Sequence, residues 1–221
     1  MNRGFGPHES AASFLGEKQT LVFLWHTLLP RMGSLQTHSL RFGYPHEITT
    51  TLARDVCETT LELTRQFGIC YRGSAMVFHV SLNNSLLSAL RTFASISSTA
   101  PFPQLQARHA IRDIAVNSAT QFLAIVEFLR ISAHQQQEQR LPGCGETMRI
   151  LVVFSGLNSL LTNQPLQTLN QVKACLALLA EHQQVLLVWI SSNNAPPIKP
   201  LLKNFFSESR SIYHSPTGSN I

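Results

Sequence analysis

Apolar and polar positions divide this chain into short continuous apolar runs and longer stretches of helical periodicity. The first run is Thr20-Leu21-Val22-Phe23-Leu24-Trp25, which reads as a strand buried on both faces. Pro30, Gly33, Gly43 and Pro45 mark residues 30–45 as a loop. From Glu47 to Phe67 the period becomes helical, with Ile48, Leu52, Val56, Leu63 and Phe67 on one face and Gly68 as a stop. Ala75 to Ser81 reads as a second strand, ended by Asn83-Asn84. Ser85 to Ala94 reads as a short helix, and residues 95–103 as a Ser/Thr/Pro-rich linker. Gln104 to Ser132 reads as one long helix. It has no charge between Asp113 and Glu127, so it is expected to be largely buried. Ala133 to Gly145 is expected to be an exposed loop.

The plainest unit follows. Arg149 to Phe154 is a buried strand, and Leu169, Val172, Leu176 and Leu179 line a helix from about Gln167 to His182. Val185 to Ile190 is the next buried strand. Continuous apolar strands joined by an amphipathic helix predict parallel pairing through a right-handed crossover. Lys199 to Phe206 reads as an edge helix. The expected fold is α/β, doubly wound, with a mostly parallel sheet and helices on both faces. Residues 1–18 are expected to be a flexible lead, 19–214 one domain and 215–221 a disordered tail.

Composition changes this picture modestly. Charged residues are only 13% of the chain, about half the usual share, so much of the surface is polar but uncharged. Such a surface suits coverage by partner proteins, and it also suits an ordinary neutral exterior. The net charge is +5, but no two basic residues are adjacent, so nucleic acid is only a secondary partner expectation. Residues 1–17 lack the apolar core of a signal peptide, and the longest apolar run is too short to cross a bilayer. The expected location is therefore nuclear or cytoplasmic. Cys57, Cys70, Cys144 and Cys175 show no metal-ligand spacing. Cys57 and Cys175 read as small core residues. Cys144, between Arg140 and Arg149, is a loop cysteine that a nearby cation would make reactive.

Leu21 to Met32 resembles the first strand and metal loop of the von Willebrand factor A (vWA) domain. Ile150 to Gly156 resembles its fourth strand and following turn, and residues 198–213 its closing segment. The positions matching the family's Asp-x-Ser-x-Ser loop are His26, Leu28 and Pro30, and Ser155 stands where an acid is expected. These side chains do not supply the oxygen cage that Mg²⁺ prefers. The resemblance therefore implies a degenerate vWA-like fold with no metal and no cofactor. It further implies a non-enzymatic interaction module in a multi-protein nuclear complex, of the transcription or DNA-repair kind.

Candidate chemistry at the residues is sparse. Ser155-Gly156-Leu157-Asn158-Ser159 lies at a strand's carboxyl end, where open α/β sheets bind ligands. Ser155, Gly156, Asn158 and Ser159 are thus the candidate ligand contacts of an alternative small-molecule or nucleotide-binding enzyme. A phosphate loop needs more glycines and a lysine, and a nucleophile elbow needs glycines two positions either side of the serine. His26 and His79 lie near strand ends, and with Ser155 and Asp113 they supply the residue types of a triad. Nothing in the sequence brings them together. His46-Glu47 reads as a helix start, with Glu47 at the positive end. Trp25 and Trp189 read as core aromatics.

Overall fold

The structure, a computed structural model, describes residues 20–26, 35–50, 53–71, 74–82, 111–138, 148–196, 200–207 and 212–213. The elements are β1 (Thr20–His26), β2 (Leu35–Arg41), β3 (Pro45–Thr50), α1 (Ala53–Cys70), β4 (Ala75–Leu82) and β5 (Ile111–Val116). They continue with α2 (Ala119–Glu138), β6 (Arg149–Ser155), α3 (Asn158–Thr162), α4 (Leu166–Ala180), β7 (Val185–Ser192), α5 (Pro200–Ser207) and β8 (Ile212–Tyr213).

Five strands and the two-residue β8 form one sheet in the order β5-β4-β6-β7-β3-β8, and every pairing is parallel. β1 and β2 make a separate antiparallel pair, Thr20 opposite Arg41 through His26 opposite Leu35. The Arg149–Ser192 unit forms as its pattern predicts. β6 and β7 are parallel neighbours, Ile150 opposite Val185, with α3 and α4 between them in the chain.

Each face of the sheet has its own core. On one side Ile48, Val77, Leu151, Val153, Leu186, Val188 and Ile190 meet Val56, Leu63 and Phe67 of α1. Leu40 and Phe42, at the end of the β1–β2 hairpin, join that cluster. On the other side Phe78, Val80, Val152, Phe154, Leu187 and Trp189 meet α2, α4 and α5. The chain runs from β3 toward β4 on the α1 face. It returns from β5 through β6 and β7 to β8 on the opposite face. Opposite travel on opposite faces is what one hand of crossover demands.

Four expectations change. Thr20 to Trp25 is a strand, but of the hairpin rather than of the buried sheet. The predicted 30–45 loop contains β2 and the start of β3. Residues 47–50 are strand rather than helix. Their side chains alternate in and out of the core, and Thr49-Thr50 favours the pleated conformation. Residues 111–116 are likewise strand, so the long helix begins at Ala119 and runs through Gln135 to Glu138 instead of ending at 132. The predicted 85–94 helix, the 95–103 linker and both termini lie outside the described residues. No described helix is long and apolar enough to cross a membrane.

Candidate functional site

The candidate site is the carboxyl-end half of the sheet on the α1 face. Strand alternation sends His46, Ile48 and Thr50 of β3 to this face, with Val77, His79 and Ser81 of β4, Ile111 and Asp113 of β5, and Leu151, Val153 and Ser155 of β6. Toward the carboxyl end the apolar set gives way to hydroxyls, an imidazole and a carboxylate. Helix α1 covers them with a threonine-rich surface in which Thr59, Thr60 and Thr64 are fully buried.

These groups form a chain of bonds. Asp113 Oδ1 lies 3.0 Å from His79 Nδ1, and His79 Nε2 lies 2.8 Å from Thr64 Oγ1. Thr64 Oγ1 donates to the Thr60 carbonyl at 2.7 Å, and Thr60 Oγ1 donates to the Val56 carbonyl at 2.7 Å. Thr60 Oγ1 also meets Ser155 Oγ at 3.2 Å. One buried network therefore ties β5, β4, α1 and β6 together. Parallel register puts its members side by side, with His79 opposite both Asp113 and Val153, and Ser81 opposite Ser155.

Acid, imidazole and hydroxyl in this order have the outline of a catalytic triad. The surroundings of Thr64 argue otherwise for these three residues. A nucleophile must offer its proton to the histidine, whereas the Thr64 hydroxyl is bonded to the Thr60 carbonyl of its own helix. Thr64 is also wholly buried. The array is a clamp between helix and sheet. Sequence reasoning named His79 and Asp113 but not Thr64, the hydroxyl that actually meets the ring. Ser155 bonds to Thr60. His26 belongs to the hairpin rather than to the parallel sheet, and Leu28, Pro30 and Cys144 lie outside the described residues.

The neighbouring rim is closed by the chain itself. Adjacent strands β3 and β7 send their helices to opposite faces, which makes the gap between them the switch point where such sheets hold ligands. Here Thr50 Oγ1 donates to the Ser191 carbonyl at 3.2 Å, and the Asn193 amide donates to the Thr50 carbonyl at 2.8 Å. Beside it, Gly156 turns with φ +67° and its amide donates to the Ile190 carbonyl. The Asn158 side chain accepts from Trp189 Nε1 at 2.9 Å and donates to the Pro196 carbonyl at 3.0 Å. Of the four turn residues singled out in the sequence, Ser155 and Asn158 are buried and bonded, Gly156 is half-buried and Ser159 is exposed. Trp189 is a core residue, with Phe122, Phe154 and Phe206 within ring-contact distance.

Other expected groups have structural places. His46 lies in β3 rather than at a helix start, and its Nε2 accepts the Arg41 amide at 2.9 Å. Burial, and less strongly the Arg41 charge, holds its pKa below the ordinary 6.5 against the opposing backbone bond. Burial and the nearby Glu58 push the Cys57 thiol up to about 11. Among the described residues no group of three or more His, Cys, Asp or Glu is placed to hold a metal ion.

No family model and no curated protein matches the chain. Among the solved structures that share its fold are two of EssC. One is EssC (ATPases 2 and 3) from Geobacillus thermodenitrificans, at TM-score 0.50 and 13% identity over 85% of this chain. The other is the cytoplasmic domain of EssC, at TM-score 0.52 and 11% identity over 88% of this chain. In both the chain spans 36% of the longer EssC chain. At such identities the likeness shows the α/β three-layer fold.

Proposed function

We propose that this chain is a non-enzymatic protein–protein interaction module, a subunit of a larger assembly built on an ATPase-like α/β scaffold. The observation that carries the reading is the self-closed carboxyl rim. A phosphate site on such a sheet needs a glycine-rich loop with a lysine between strand and helix, so that backbone amides can cradle the phosphates. Here β3 and α1 are separated only by Thr51-Leu52, with no glycine or lysine. The β6 turn has one glycine, whose amide is bonded to Ile190. Beneath the rim Thr60, Thr64, His79, Asp113 and Ser155 are bonded within one network.

The vWA resemblance of residues 150–156 and 198–213 supports a place in a nuclear complex of the transcription or DNA-repair kind. Nucleotide binding is the second reading, favoured by the EssC ATPases that share the fold. Thermal denaturation of the purified chain with and without ATP and Mg²⁺ separates the two. The interaction reading predicts an unchanged melting temperature. A saturable rise with ATP overturns it.

A further inference from the structure

We propose that the seam between the carboxyl end of α2 and the α4–β7 turn is a pH-sensitive latch, closed at neutral pH and loosened in mild acid when His182 takes up a proton. Every pairing in the main sheet is parallel, so α2 and α4 both return against the strands and end side by side at the sheet's amino edge. His134 of α2 and His182, two residues beyond α4, meet there with ring centroids 6.3 Å apart. His182 is half-buried and His134 exposed. Two imidazolium rings at that separation repel, and histidine is the side chain that gains its charge in mild acid.

The turn that carries His182 is tied to both neighbours of the seam. Gln184 Nε2 donates to the Ala133 carbonyl, which joins the start of β7 to α2, and both residues are buried. The Val185 amide donates to the His182 carbonyl at 2.8 Å, and the His182 amide to the Leu179 carbonyl at 3.4 Å. From β6, Arg149 Nη1 donates to the Gln183 carbonyl at 3.1 Å. Ala133 is the chain neighbour of one histidine, and Gln184 lies two residues from the other. Repulsion between the rings therefore acts directly on the bond that crosses the seam.

The charges facing His182 set the sign. Burial opposes its protonation most, followed by His134 and by Arg130, which lies one turn before His134 on the same side of α2. Glu181 acts the other way, as do the negative carboxyl ends of the two helices. Glu127 meets Arg130 at 2.6 Å and tempers its charge. Cys175 of α4 faces the same ion pair with its pKa raised, by burial first, and adds no charge of its own. The balance holds the His182 pKa below the ordinary 6.5. The open seam thus binds more protons than the closed one in mild acid. Closure is complete above pH 6.5 and weakens as pH falls through the folded value.

Nuclear magnetic resonance of the full chain between about pH 7.5 and pH 5 tests the latch. The His182 ring should titrate below 6.5. Hydrogen exchange of the His182, Val185 and Gln135–Glu138 amides, corrected for the intrinsic effect of pH, should speed several-fold over that range. Val152 and Val188, in the core strands, should keep their protection. His134→Gln should raise the His182 midpoint, because it removes a repelling charge and keeps a polar side chain. His182→Gln should abolish the acid response of the seam, and His46→Gln, in β3 on the α1 side of the sheet, should leave it intact. A His182 midpoint at or above 6.5 overturns the proposal. So does exchange at the seam that ignores pH, that speeds only together with Val152 and Val188, or that responds equally in His182→Gln. Titration and exchange of the unaltered chain decide the matter should a variant fail to fold.

Discussion

Thr64 Oγ1 meets both the Thr60 carbonyl and His79 Nε2, and this makes it the most informative single residue in the network. Thr64→Val keeps the shape but leaves His79 Nε2 facing a methyl group. It should cost about 1–3 kcal/mol, the usual penalty for orphaning a buried polar group. Thr64→Ser, which keeps the hydroxyl, should cost under ~1 kcal/mol. Urea denaturation of the two variants checks this, and equal losses would deny the hydroxyl its part. His46 gives a pH dependence with a definite sign. Its folded pKa lies below the ordinary 6.5, so near that value the unfolded chain binds more protons than the folded one. The stability it contributes is complete above pH 6.5 and is lost as pH falls through the folded value. A His46→Gln variant should show a shallower loss of stability between neutral and mildly acidic pH. Cys57, buried and with its pKa pushed to about 11, should resist alkylation at pH 8 until the chain unfolds.

At the scale of elements, what could be read from the sequence depended on how much of each element's surface is apolar. β6, α4 and β7 were legible because nearly every strand side chain is buried and the helix keeps one apolar face. β3 and β5 were not. Pro45–Thr50 buries His46 and Thr50 beside Ile48, and Ile111–Val116 sends Asp113 into the polar network, so both strands carry polar residues inward. Ile48 and Ile111 then fell by chance on the periodicity of the helix that follows. A local signal for the second boundary was present. Ser118-Ala119-Thr120-Gln121 has the spacing of a capping box. Ser118 Oγ accepts the Gln121 amide at 3.1 Å, and Gln121 Oε1 accepts the Asn117 amide at 2.9 Å. Ser118→Ala should cost about 1 kcal/mol by chemical denaturation. Gly156→Ala should cost about 1–2 kcal/mol, because φ +67° strains any side chain even though the added Cβ meets nothing within 4 Å.

At the scale of the whole molecule, the carboxyl ends of β3, β6 and β7 are tied to one another by the chain's own bonds. Of the six large apolar side chains exposed among the described residues, Phe128, Ile131, Leu166 and Leu178 lie on α2 and α4. The site was only partly legible for a physical reason. His79 and Asp113 are 34 positions apart, and Thr60 and Ser155 are 95 apart, so only the parallel pairing of β4 with β5 and β6, under α1, brings them together. The measurement that bears most directly on the interaction-subunit reading is the stoichiometry of the tagged full-length chain purified from its native cells. Quantitative mass spectrometry of its size-exclusion peak should find other polypeptides at fixed molar ratios to this chain. Elution of the chain with no polypeptide at a fixed ratio would contradict the reading.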